Sequence, residues 1–256
     1  MGLWTIEHAY TVLPAIAVYI VVSILLAKLL KGKSEKVRYL PFQIMAAVIL
    51  VLEVIKQIDN IDESGYDLYA LPFHYCSLFL YLLPFHAFYK GKYKDIVDTA
   101  TFGTCSSLFF FMLVMPAIVY GEGAIRDYTG SFSSFHTVTF HNIVLFYFTL
   151  MVAMRMYKTD TKKDLKVLAI FLGIYLVVAI TLSQTLQVNF HNLYKCNLGM
   201  VEDIRLALID SIGWTGQAIY LAIISVLTIL FAYLAYFVVK GLLSIIDKKC
   251  VKNKEN

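Results

Sequence analysis

The chain has 256 residues, of which 59% are hydrophobic and 16% charged, with net charge +4 and mean hydropathy +0.70. A soluble domain carries about a quarter charged residues, so an ordinary water-soluble globule is excluded. The deficit is concentrated in long apolar runs, and about 20 apolar residues are needed to cross a bilayer as a helix.

Seven such runs follow in chain order: Tyr10 to Leu30, Tyr39 to Ile58, Leu68 to Tyr89, Ile96 to Tyr120, Ser134 to Tyr157, Leu165 to Leu186 and Ile212 to Leu243. The last exceeds one crossing and is expected to tilt or to extend beyond the bilayer. The loop from Gln187 to Ser211 is the only one with room for a short extra helix. Residues 244–256 read as a basic tail. The fold class expected is an all-α polytopic membrane bundle of seven helices, one integral domain over 1–256. There is no internal repeat and no low-complexity stretch.

Charge fixes the expected orientation. Eighteen of the 22 basic residues fall after spans one, three, five and seven. Lys56, Arg126, Lys195 and Arg205 fall on the other side, among nine of the 18 acidic residues, Glu63 and Glu122 included. Positively charged loops stay in the cytoplasm, so the N-terminus is expected outside, the C-terminus inside, and the location a cell membrane crossed several times.

Partners and cofactors are read by the same logic. The expected partners are membrane lipids. No basic face with interleaved aromatics suggests nucleic acid. Cys76, Cys105, Cys196 and Cys250 lack metal-ligand spacing, and neither a disulfide framework, a metal nor an organic cofactor is expected. The N-terminus lacks the basic region and small-residue site of a cleaved signal peptide.

Ionisable groups in hydrocarbon are costly and mark function by default. The expected topology collects several at one depth, in the outer leaflet: Glu53 on span two, His74, Cys76 and Ser77 on span three, His136 and His141 on span five. Gln184 and Asn189 at the end of span six and Trp214 and Gln217 at the start of span seven complete the set. Depth alone does not show that they meet laterally. Glu53 also reads as an end-of-helix carboxylate paired with Lys56 and Gln57 one turn on. His86, beside Tyr89 and Lys90, reads as interfacial. The hydroxyls of span four, Thr101, Thr104, Ser106 and Ser107, read as bonded to their own helix or to a neighbour.

A thiol needs a base to become a nucleophile, which casts Cys76 as nucleophile, His141 or His136 as general base and acid, and His74 as a stabiliser of an oxyanion or a phosphate. Glu53 would orient the imidazole. His136 and His141 lie five apart, about 140° around a helix, so one of the two faces any given site. Glu53, Ser77, Gln184, Asn189, Trp214 and Gln217 are candidate binding residues. The alternative is a non-enzymatic transporter or ligand-binding protein that uses Glu53, His74 and His141. A retinal-type receptor is excluded, because no lysine lies between Trp214 and Val239.

The stretch LPFHYCSLFLYLLP, with Pro72, His74 and Cys76, resembles the bacterial YwaF family of integral membrane proteins, related to the eukaryotic transmembrane protein 164 family. The resemblance extends through FHTVTFHN with His136 and His141, Asn189-Phe190, and DSIGW with Asp210, Gly213 and Trp214. It covers roughly Tyr39 to Tyr220. It implies an acyltransferase acting on lysophospholipids through a cysteine and a histidine, or a fatty-ester hydrolase. The chain departs from the eukaryotic pattern at Phe73, where that pattern sets its cysteine directly before the histidine, and at Thr215, where it has proline.

Overall fold

The computed structural model describes residues 4–62, 65–121 and 123–255, with side chains as far as Ile246 except that of Asp62. Glu63, Glu122 and the side chains of the basic tail, Cys250 included, lie outside the described residues.

Helix α1 spans Ile6–Leu29. Its first turn closes in a capping box, in which Thr5 Oγ1 accepts from the His8 amide and His8 Nδ1 accepts from the Thr5 amide. Helix α2 covers Glu35–Asp59, α3 Leu78–Phe88, α4 Lys94–Val114, α5 Pro116–Tyr120, α6 Phe132–Ala153, α7 Thr161–Leu186, α8 Gly199–Ile212 and α9 Trp214–Glu255. Two-residue strands, Ile61–Asp62 and Gly65–Tyr66, make a small hairpin after α2.

Six of these helices are long and apolar enough to cross a membrane. Their apolar side chains point outward in rows, such as Val18, Val21 and Leu25 of α1 and Leu230, Leu234 and Phe237 of α9. A soluble monomer does not expose apolar surface on this scale. The protein is an all-α polytopic membrane bundle, in contact with lipid along these faces.

Helix α4 forms the centre, packed against α3, α6, α7 and α9. Its small residues allow the close approach: Gly103 abuts Leu168 of α7. The hydroxyls of Thr101, Ser106 and Ser107 donate to carbonyls one turn back, at 2.7, 2.7 and 3.2 Å, which is the local role expected for them. Thr104 Oγ1 is buried without a partner among the described residues.

Charged side chains tie the ends of the bundle. At one end Lys163 pairs with Asp95, Lys90 with Glu35 and Lys94 with Asp98. These are the segments expected on the cytoplasmic side. Arg126 and Glu7 pair at 2.5 Å, joining two segments expected on the opposite side.

The structure corrects two expected spans. Leu68 to Tyr89 is not one helix: Leu68–Ala70 and Tyr75–Ser77 are separate 3-10 turns, and the α-helix starts only at Leu78. Leu71 adopts φ −56°, ψ 139° before Pro72, as steric conflict with a following proline ring favours. Ile96 to Tyr120 likewise breaks at Met115, φ −142°, ψ 59°, before Pro116. The long loop does contain an extra helix, α8. Gly213, at φ 61°, ψ −139°, permits the reversal into α9, a backbone conformation that suits glycine alone. Helix α9 itself continues beyond Leu243 to Glu255, so the tail begins as helix.

Candidate functional site

Glu53 lies on the last turns of α2 and is buried. Lys56 and Gln57 follow at i+3 and i+4 and therefore share its face. Lys56 Nζ lies 2.7 Å and Gln57 Nε2 2.5 Å from Glu53 Oε1. His136 arrives from α6 and sets its Nε2 3.3 Å from Glu53 Oε2. That approach is close enough for an ion pair but is not aligned as a hydrogen bond, and Nε2 has no other partner among the described residues. The carboxylate thus has one fixed cation, one amide donor and one imidazole. Its end-of-helix pairing with Lys56 and Gln57 is as expected; the contact with His136 gives it a second helix to act on.

The segment before α3 is fastened to this helix end. Gln57 Nε2 also donates to the Ala70 carbonyl at 2.9 Å, and Tyr66 donates to Gln57 Oε1. Asp67 caps the following turn by accepting from the Tyr69 amide at 2.9 Å. His74 Nε2 donates to the Tyr69 carbonyl at 3.0 Å, which leaves Nδ1 as its acceptor nitrogen. Its ring meets Tyr69 and Phe190 edge-on at 4.5 and 5.3 Å. Cys76 sits in the next turn as a half-buried free thiol. Among the described residues no hydrogen bond joins Cys76 to a histidine. Ser77 is buried at the start of α3.

His141 belongs to a different neighbourhood. Its Nδ1 donates to the Thr137 carbonyl at 2.7 Å, so Nε2 is the acceptor. Its ring meets Tyr120 and Phe140 edge-on at 6.0 and 5.4 Å. Tyr120 in turn stacks on His8. Of the two histidines of α6, only His136 contacts Glu53.

The remaining candidates hold loops. Gln184 donates to the Leu193 carbonyl at 2.7 Å. Asn189 Oδ1 accepts from the amides of Tyr194 and Lys195. Gln217 accepts from Arg205 of α8 at 2.9 Å, and Arg205 also pairs with Glu202. Arg205, together with the Cys196 amide, holds the Glu202 carboxyl below the usual carboxylate range. Trp214 is 67% exposed and meets none of the other candidates.

One functional candidate was hidden in the loop. His191 stacks on Tyr75 at 5.3 Å, meets Tyr175 edge-on, and places Nε2 3.0 Å from Thr228 Oγ1. Burial pushes its imidazole down to about 4. His191 and Asn192 both have positive φ, 50° and 59°, and such strain collects at sites where position matters. No spacing signal in the sequence marks it, because the chain here is irregular.

At the other end of the bundle His86 is fully buried, not interfacial. Its Nδ1 lies 2.6 Å from the Tyr147 hydroxyl, and its Nε2 3.7 Å from Asp98. Among the described residues no group of three or more His, Cys, Asp or Glu side chains is arranged to hold a metal ion.

No curated protein and no solved structure matches the chain. The sequence model described as the TMEM164 family matches residues 3–238, nearly the whole length, and the chain belongs to that family.

Proposed function

We propose that this protein is a lipid acyltransferase or lipid-ester hydrolase of the outer leaflet, with Cys76 as nucleophile and His136 as its general base and acid. The proposal includes seven crossings of the cell membrane by a single domain, Tyr75–Phe88 being the short one, with the N-terminus outside and the tail in the cytoplasm. The observation that carries it is the contact of Glu53 with His136, beside a segment that Gln57 fastens to the same helix end and that bears Cys76.

The chemistry runs in two steps. His136, with Nε2 turned to Glu53, presents Nδ1 for the thiol proton. Sulfur attacks the ester carbonyl, the carbon–oxygen bond breaks, and the departing lysolipid alcohol takes the proton back from the imidazole. A second alcohol, or water, then attacks the thioester and restores the thiol. His74 lies close by on the same segment; with Nε2–H held by the Tyr69 carbonyl, it serves the oxyanion or a phosphate head group as the imidazolium, whose Nδ1 is then also a donor. His141 is the less suited base, since its ring packs edge-on against Tyr120 and meets no carboxylate among the described residues.

Lipid mass spectrometry tests the reading. Cells making the wild type are expected to differ in acyl composition or lysolipid level from cells lacking the protein, and cells making Cys76→Ala are expected to match the latter. Identical profiles in all three would direct attention to transport through Glu53, the alternative that its buried ionic cluster favours.

A further inference from the structure

A second concave site lies on the other side of α6. Helices α1 and α6, with α5 and the segment around Tyr128, enclose a cleft of about 470 Å³, within the range of small-ligand sites. None of its eleven lining residues is charged. Its apolar wall includes Ala15, Ile143 and Phe146.

Its polar wall is a hydrogen-bond chain of fixed direction. Asn142 Nδ2 donates to the Val138 carbonyl at 2.7 Å. This fixes the amide, because the flipped orientation would set two oxygens against each other. Asn142 Oδ1 must then accept from Tyr19, at 3.0 Å, and Nδ2 must donate to the Tyr120 oxygen, at 2.9 Å. The Tyr120 hydroxyl accepts in this chain and donates to nothing among the described residues. Tyr120 is 4% exposed, so its unused proton has little access to water, and a buried donor without an acceptor is costly. His141 does not relieve it, since no hydrogen bond joins the two rings.

We propose that this cleft binds an uncharged single-chain lipid through a carbonyl-type oxygen that accepts from Tyr120, with the acyl chain along Ala15, Ile143 and Phe146. An anionic or zwitterionic head would find no counter-charge in the lining, and burying it unpaired would be unfavourable. A plain hydrocarbon would leave the Tyr120 proton unmet. The site is independent of the thiol chemistry proposed for Cys76.

The test uses the full-length protein in nanodiscs and a monoacylglycerol that carries a diazirine in its acyl chain. Photolabelling is expected on peptides of α1 and α6, displaced by monoolein and not by lysophosphatidylcholine. Tyr120→Phe, which removes only the donor, is expected to weaken monoolein competition roughly two- to tenfold, the effect of one neutral hydrogen bond. Ala15→Phe fills the cleft and is expected to abolish the labelling, and Cys76→Ala is expected to label as the wild type does. Equal displacement by both lipids, or labelling indifferent to both Tyr120→Phe and Ala15→Phe, means ordinary boundary-lipid contact and overturns the proposal. Those outcomes would leave the Cys76 reading untouched.

Discussion

His136→Ala is expected to lower lipid acyl turnover by roughly 10²–10⁴-fold, the usual contribution of a positioned general base, while His141→Ala leaves turnover within a few-fold of wild type. The contrast follows from their partners. His136 has a buried carboxylate 3.3 Å away to fix its orientation and support its positive charge. His141 donates to a carbonyl of its own helix and packs against Tyr120. Glu53→Gln keeps the shape and removes the charge, and is expected to fall between the two. Initial rates on a phospholipid with a labelled acyl chain check this. The loss should appear in kcat rather than KM, because the base acts after binding. Equal losses for the two histidine variants would contradict the assignment.

Asp164→Leu is expected to cost about 3–5 kcal/mol of stability, by the loss of several bonds to one buried carboxylate. Asp164 is fully buried in the first turn of α7. It accepts from the Tyr236 hydroxyl at 2.6 Å, from the Asp160 amide at 2.8 Å, and from Tyr157. These bonds gather the segment after α6, the start of α7 and α9 at one end of the bundle. Leucine matches the size but removes the acceptor of the Tyr236 hydroxyl and of the Asp160 amide, while Tyr157 can turn to Thr99 Oγ1, 2.8 Å away, so the penalty exceeds that of Tyr236→Phe, which removes one partner only. Denaturation in mixed micelles, followed by tryptophan fluorescence, measures both. A loss for Asp164→Leu no larger than that for Tyr236→Phe would show that the network is dispensable.

Most of the fold was legible in the sequence, because hydropathy reports directly on the solvent. The helices of five of the seven apolar runs lie within a few residues or a single break of those runs, and α9 overruns the seventh. The errors fall at prolines. Pro72 and Pro116 lie inside two of the expected spans, and the helical backbone breaks directly before each. His86 shows a related limit: position near a basic loop suggests an interface, yet Tyr147, Phe42 and Tyr39 enclose it.

The candidate site was legible only in depth. Charge asymmetry and span order put Glu53, His74, Cys76 and His136 in one layer, but azimuth around a helix depends on packing that no single sequence states. The 140° between His136 and His141 predicted that they diverge, and not which one meets Glu53. His191 was missed altogether: it lies in an irregular segment whose path depends on Ser183, Asn189 and Tyr220. Trp214 was chosen for its depth and points outward instead.

The most direct measurement of the central claim is capture of the acyl-enzyme. Purified protein is mixed with a phospholipid bearing an alkyne-tagged acyl chain, quenched in acid and mapped by mass spectrometry. The account predicts a tag on Cys76 that hydroxylamine releases, that is absent from Cys76→Ala and that forms far more slowly in His136→Ala. Acyl turnover that persists in Cys76→Ala, with no tag on Cys76 in the wild type, would contradict it.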